Sequence, residues 1–487
     1  MANTDLLNVR LESEDIEVDQ IDVHTLEGRE AISQPFRFDL EVVCRGDAPA
    51  IDDVVGASVC LVFERGDDEV RRLHGIILEA ELLYDTEEEH STWRFAVVPR
   101  ICRMTLVETL DVFLDLSVPE IIEKKLGLFD LSGAGTDFDL SLAGTYPKRE
   151  FVVQYKETDL NFISRLAEHL GIAYFFDHRG GDDKIVFADS AGRFEEISGD
   201  PLVWYHRRGE EAGVYALSTK RRLIPSMFVC RDYNYRTPTL ELQADHQLSE
   251  GDAGGIVEYG GHFKTTEEAA ELAKVRAQER LSARSVHHGT SADQRFSAGH
   301  VFELDGHPEV SGRLLLVEVV HHHQQPVATG LASGTERRYR NEFSAIDASL
   351  TYRPPRRAHI PRIYGVVTGL IETDLQGQVG KYAKIDEEGR YTVKFLFDTA
   401  APGERKASRP VRRIQPMAGP HYGMHFPLRP GVEVLIVFVD GDPDRPLIVG
   451  AVPNPVTPTP VVAASSTKNR IKTESGILLE IEDGAGS

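Results

Sequence analysis

Cysteine is scarce in this chain: Cys44, Cys60, Cys102 and Cys230 are the four in 487 residues. They form no Cys-x-x-Cys pair, which excludes a zinc knuckle, and at this density a disulfide framework is not expected. Cys44, Cys60 and Cys102 stand in apolar, β-like runs and read as small core residues. Cationic charge is outnumbered, with 54 Lys and Arg against 78 Asp and Glu and a net charge of −24. Nucleic acid and anionic membrane are therefore disfavoured as main partners, because both need a cationic footprint. No stretch approaches the ~20 continuous apolar residues of a membrane-spanning helix. The opening "MANTDLLNVRLESEDIEVDQ" has neither a cationic n-region nor an apolar h-region, so no cleavable secretory signal is expected. Catalytic signatures are missing as well. There is no HExxH, no GxSxG and no Walker A loop; "GQVGKY" lacks the upstream glycine and the Ser/Thr. No cofactor and no catalytic residue is expected.

What is present is globular: 41% hydrophobic and 27% charged residues. The length suggests roughly three domains. Strand patterns dominate the start, in "FRFDLEVVC", "ASVCLVFERG" and a hairpin-like pair around the acidic turn of "RRLHGIILEAELLYDTEEEHSTWRFAVVPR". Three helices interrupt them. The spacing predicts one over 117–127, with Ser117 and Glu120 as a capping box and Gly127 as its stop. Others are predicted over 158–171, ending at Gly171, and over 265–285, opened by Thr265 and Glu268. Pro354, Pro355 and Pro361 mark a linker. Beyond it, five short strand patterns with Gly/Pro corners over 356–453 fit a small OB-type barrel. "PNPVTPTP" opens a Pro-rich linker over 454–466. Residues 467–487 then alternate across a Ser-Gly turn. Ile477, Leu479 and Ile481 share one face there, too few to make a core within one chain.

Two groups invite a chemical reading. His321, His322 and His323 are consecutive, and on a strand His321 and His323 point the same way. They are weak candidates for a metal pair, against the blander reading of half-exposed histidines at a strand end. Asp440, Asp442 and Asp444 follow the opening spacing of a calcium loop, but Arg445 replaces its glycine and Ala451 its bidentate Glu, and Pro443 intrudes. A glycosidase carboxylate pair has no positive support. Asp440, Gly441, Asp442, Pro443, Asp444 and Arg445 therefore read as a structural turn between two apolar strands. Two basic groups, Arg353/Arg356/Arg357/Arg362 and Arg405/Lys406/Arg409/Arg412/Arg413, read as solvated faces or contacts with acidic protein.

The segment "GVEVLIVFVDGDPDRPLIVGAVPNP" resembles the signature of VgrG proteins, the spikes of the type VI secretion system. "ETDLNFISRLAEHLGIAYFFDH", "RNEFSAIDASLTYRPPRRAHIPRIYG" and "NRIKTESGILLEIEDGAG" resemble, in the family's order, its hub, its junction into the OB domain and the start of its trimeric β-helix. The resemblance implies a mainly β protein. Residues 1–355 would form a phage tail-hub-like region of two β-rich subdomains, 356–453 an OB-fold domain, and 467–487 the start of a β-helix needle with Ile477, Leu479 and Ile481 as its core. It implies a homotrimer that sits on an Hcp-like tube among baseplate proteins and touches the target membrane only mechanically. Such a protein would stay in the cytoplasm until firing and then be injected. The family's needle is longer than 467–487, so contacts with a PAAR-type tip protein and effectors are expected where that longer needle exists. Hubs of phage tails and other contractile injection systems share the architecture. A cell-wall hydrolase would need an inserted helical domain, and an OB-type ligand binder would need exposed aromatics, whereas Phe395, Phe397 and Phe438 read as core.

Overall fold

The computed structural model describes residues 7–46, 49–66, 68–83, 90–199, 202–203, 213–327, 338–372, 382–398 and 408–484. The chain divides into two compact units. The acidic turn, Arg405 and Lys406 fall outside the described residues.

The first unit comprises Met1–Val107, Ile122–Tyr146 and Thr158–His359. Its largest sheet begins as a meander in which Ser58–Arg65, Asp68–Leu83, Ser91–Val98, Gln34–Cys44 and Ile21–Ala31 are successive neighbours. Alternation explains the strands: in Gln34–Cys44, Phe36, Phe38, Leu40 and Val42 are buried while Arg37 and Asp39 are exposed. Gly28 is required opposite Phe38, because a Cβ there would stand 2.1 Å from the phenyl ring. Ile21–Ala31 then pairs antiparallel with Gly312–Gln324, which joins this meander to a second one through Arg338–Asp347, Ser285–Ser291 and Val214–Arg221. A smaller sheet, Met227–Asp232 between Leu242–Gln247 and Gly255–Tyr259, packs on the helix Thr266–Ser282 through Cys230, Leu242, Ala269 and Leu272. Thr265 caps that helix by accepting from the Glu268 amide at 3.2 Å.

The helix expected over 158–171 spans Asp159–His169, with Thr158 as its cap and Gly171 at φ 71° beyond it. The one expected over 117–127 spans Val118–Leu126, and Ser117 and Glu120 exchange both capping-box bonds. The α-helix ends before Gly127, but Gly127 is not left-handed. A 3₁₀ turn, Gly127–Phe129, follows, and the left-handed residue is Asp130 at φ 61°. Cys44 and Cys60 lie in strands, but Cys102 lies in the 3₁₀ helix Arg100–Thr105; all four cysteines are buried. The run around Cys102 is apolar because one side of a short helical turn packs on Ile76 and Val98, not because it is extended.

The second unit is a closed barrel with additions: Glu108–Ile121, Pro147–Glu157 and Ile360–Ser487. Val367–Ile371 pairs with Val393–Phe395 and with Glu433–Phe438, and the last pairs with Pro446–Ala451. Bridges Tyr391↔Val411 and Arg413↔Ile448 close the ring. The third expected strand, "PVRRIQPMA", is thus reduced to two bridges plus a hairpin, Ala418–Gly419 with Tyr422–Gly423. Tyr391, Val393, Phe395, Val434, Ile436, Phe438 and Ile448 form the core. Phe151 packs at a tilt against Phe395 at 6.0 Å and Tyr155 edge-on against Phe397 at 5.6 Å. Residues 108–121 and 147–157, inside the range expected to be hub, therefore belong to the barrel's unit.

Candidate functional site

The Asp-rich corner joins the two longest barrel strands. Glu433–Phe438 enters a 3₁₀ turn, Val439–Gly441, in which Asp440 (φ 54°, ψ 23°) and Gly441 (φ 71°) are left-handed. The Asp442 amide donates to the Val439 carbonyl (3.0 Å), the Arg445 amide to the Asp442 carbonyl (2.9 Å), and the Val439 amide to the Arg445 carbonyl (3.0 Å). Asp442 Oδ1 accepts from the Asp444 amide at 3.0 Å, and its Oδ2 lies 3.7 Å from Arg445 Nε. Asp444 Oδ1 reaches out of the turn to accept the Val153 amide at 2.7 Å. Backbone carbonyls bind the incoming chain: Gly441 accepts from the Ile363 amide at 2.7 Å and Asp440 from Arg362 Nη1 at 3.0 Å. Pro443 is buried. The corner thus ties three segments of its unit together.

The histidines are placed differently from either expectation. His321 and His323 share the inner face of Gly312–Gln324, but both are buried rather than half-exposed. Glu30 Oε1 accepts from His321 Nε2 (2.8 Å) and Arg71 Nη2 (2.5 Å), while its Oε2 accepts from Ser297 Oγ (2.6 Å). His321 Nδ1 accepts from the Tyr339 hydroxyl at 2.7 Å. Both of its nitrogens are thereby engaged, and an incoming cation would meet the Arg71 guanidinium. Burial holds His321 below its ordinary pKa, so it stays neutral. Burial pushes the Glu30 carboxyl the other way, but Arg71, His321 and Ser297 outweigh it and keep it well below the carboxylate range. His323 Nε2 bonds Gln325 Oε1 at 2.9 Å, and Gln325 ties Val9 to Val23. The metal candidates His321 and His323 are hydrogen-bonded core residues of the hub sheet.

Among the described residues of the basic groups, several arginines are engaged locally. Arg353 donates to Gln278 and to the Gly171 carbonyl. Arg356 pairs with Glu258 at 2.9 Å and Glu279 at 3.5 Å, and buried Arg276 pairs with the same Glu258 at 3.0 Å. Arg357 offers its amide to Glu168. Arg409 pairs with Asp115 and donates to the Glu150 carbonyl, and Arg413 to the Phe426 carbonyl. Sequence reasoning missed Glu30, Arg71 and the buried pair Lys125–Asp159 at 2.8 Å. For Glu30 and Arg71 the available signal was a charge within a strand pattern; Lys125 and Asp159 lie on helices.

The terminal segment is a two-stranded hairpin, Lys468–Lys472 with Leu478–Glu482. Glu480 is clasped by Lys468 at 2.8 Å and Arg470 at 2.7 Å. The expected needle core lies open in the single chain: Ile477 is 71% exposed, Leu479 57% and Ile481 58%.

A meandering β hub, a four-stranded barrel closed through bridges at Val411 and Arg413, and an uncovered hairpin define a tail-hub protein with an injector-type OB domain. The family model for the phage tail baseplate hub (GPD) matches residues 29–327, and that for the type VI secretion system/phage-baseplate injector OB domain matches 375–452. The chain belongs to the phage tail baseplate hub family. Its resemblance to VgrG spike proteins runs through nearly all of it. The type VI secretion system spike protein VgrG5 of Pseudomonas aeruginosa is 31% identical over 92% of this chain and 58% of its own length. The actin cross-linking toxin VgrG1 of Vibrio cholerae is 26% identical over 96% of this chain and 43% of its own. The chain therefore spans about half the length of these curated relatives. In fold it matches the E. coli c3393 protein, described as a component of the type VI secretion system similar to T4 bacteriophage tail proteins gp27 and gp5. That match has a TM-score of 0.67 and 25% identity, over 91% of this chain and all of that one. A chain of the Francisella PdpA-VgrG complex shares the fold (TM-score 0.60, 10% identity, 99% of this chain and 76% of that one).

Proposed function

We propose that this chain is the hub and OB portion of a homotrimeric, non-enzymatic type VI secretion spike. In that role it caps an Hcp-like tube among baseplate proteins and is driven through the target membrane with its effectors. Contacts with a PAAR-type tip and with effectors belong to whatever needle extends the hairpin. It waits in the cytoplasm and leaves by injection. The Asp440–Arg445 corner serves as a structural brace in this reading, because each of its polar contacts fixes backbone.

The observation that carries the proposal is the terminal hairpin. Ile477, Leu479 and Ile481 are more than half exposed, and an isolated two-stranded hairpin is marginal in water. Winding with two copies would bury them. An obligate interface of this kind exceeds about 2,000 Å² in total, which suits a part forced through a membrane. A phage-tail hub shares the fold, but the relatives at 31% and 30% identity are type VI spike proteins. Light scattering tests the reading: a mass of three chains is expected at micromolar concentration, and a monomer there would refute it.

A further inference from the structure

The prolines at 354 and 355 mark a linker, but the chain around them lies closed on the hub unit as far as that unit's last residue, His359. The first part is anchored. Tyr352 is 6% exposed and Pro354 is buried, and Arg353 donates to Gln278 Oε1 and to the Gly171 carbonyl, each at 2.9 Å. The second part differs: no residue of 355–359 is buried, and hydrogen bonds and ion pairs hold it.

Most of those bonds end on one helix. The consecutive amides of Arg357 and Ala358 donate to the same oxygen, Glu168 Oε2, at 2.8 and 2.9 Å. Successive N–H groups converging on one oxygen form an anion-binding concavity. Glu168, 5% exposed on Asp159–His169, meets them with little water present to compete. Asn161 stands about two turns earlier on the same helix. Its Oδ1 accepts the His359 amide at 3.0 Å, and its Nδ2 donates to the His359 carbonyl at 2.9 Å. Arg356 adds ion pairs to Glu258 at 2.9 Å and Glu279 at 3.5 Å. Pro354 and Pro355 carry no N–H, so the backbone has no donor between Arg353 and Arg356 to hold it there. Local opening starts where little apolar surface is buried and backbone hydrogen bonds lie near solvent.

We infer that residues 355–359 are a latched strap. They open as one unit about Pro354–Pro355, with Glu168 and Asn161 as the latch, while Tyr352 and Arg353 stay anchored. Closed, the strap makes the exit from the hub unit rigid. Open, it releases about 17 Å of extended chain and uncovers the Glu168 carboxylate. This device goes beyond the spike reading and does not depend on trimerisation.

Hydrogen exchange on the full 487-residue chain tests it, with the strand Ser91–Val98 as the reference for global unfolding. The amides of Arg357, Ala358 and His359 should be protected in the parent. In the double variant Glu168→Ala with Asn161→Ala they should exchange at least tenfold faster, with Ser91–Val98 unchanged. Glu168→Gln, which keeps one acceptor oxygen, should fall between. Trypsin should cut the double variant after Arg356 or Arg357 at least tenfold faster than the parent. A parent whose 357–359 amides exchange as fast as an unstructured peptide overturns the latch, as does a double variant in which their protection is intact. Equal acceleration of 357–359 and Ser91–Val98 also overturns it, since the opening would then be global. None of these outcomes bears on the number of chains in the assembly, which light scattering reads separately.

Discussion

Replacing Arg71 by Met leaves the Glu30 carboxylate inside the hub sheet without its counter-charge. The side chains of Arg71 and Glu30 are 8% and 6% exposed, so solvent cannot take over. Removing one partner of such a pair costs about 3–5 kcal/mol, whereas replacing both by apolar groups is often near neutral. Here the double replacement, Glu30→Leu with Arg71→Met, also strands His321 Nε2 and Ser297 Oγ. Those unsatisfied donors put its cost at about 1–3 kcal/mol. The double variant is therefore expected to be more stable than Arg71→Met alone. Urea unfolding followed by fluorescence of buried Trp93, on the neighbouring strand Ser91–Val98, reports this sheet. A loss below about 1 kcal/mol for Arg71→Met, or additive single and double effects, would refute the reasoning. The pH dependence has a definite sign. Glu30 is depressed in the fold, so its contribution is complete above its ordinary value near 4.5 and is lost as pH falls through the lower folded value. The parent chain should accordingly lose more stability than Glu30→Gln as pH falls from about 4.5 toward the lower folded value.

Gly441→Ala places a Cβ at φ 71°, within 3.4 Å of Tyr364, and should cost the barrel ~1–2 kcal/mol in chemical denaturation. Asp440→Asn should change stability by less than ~0.5 kcal/mol, since Asn tolerates the left-handed region and Asp440 works through its carbonyl. Asp444→Ala removes the carboxylate that accepts the Val153 amide and should lower barrel stability by ~1–3 kcal/mol, visible as an earlier thermal transition. Deleting residues 454–487 should lower the stability of the assembled protein; unchanged thermal unfolding would contradict the role given to the hairpin. A chelator should leave the hub's unfolding midpoint unmoved, because His321 is engaged at both nitrogens, and a stoichiometric metal lost with the fold would show otherwise.

Much of the architecture was legible in the residues because local rules wrote it. Capping pairs Ser117/Glu120 and Thr265/Glu268, strand alternation in Gln34–Cys44, and the Asp-Gly turn at 440–441 all depend on neighbours within a few positions. The prolines marked the boundaries of the barrel and the hairpin, while the hub reading of the first region followed from the resemblance. What the residues alone did not show is who covers each face. Periodicity identified His321 and His323 as facing one way, yet their partners Glu30, Arg71 and Tyr339 come from strands brought together only by the pairing of Ile21–Ala31 with Gly312–Gln324. The same holds for residues 108–121 and 147–157, which read as hub by position but complete the barrel's unit through Phe151, Tyr155 and the Asp444 carboxylate. By itself the sequence determined local conformation and the sidedness of each element, because those are short-range properties of backbone and side chain. Only the tertiary structure decided which distant elements meet, and so which charges are buried and which apolar faces stay open for another chain.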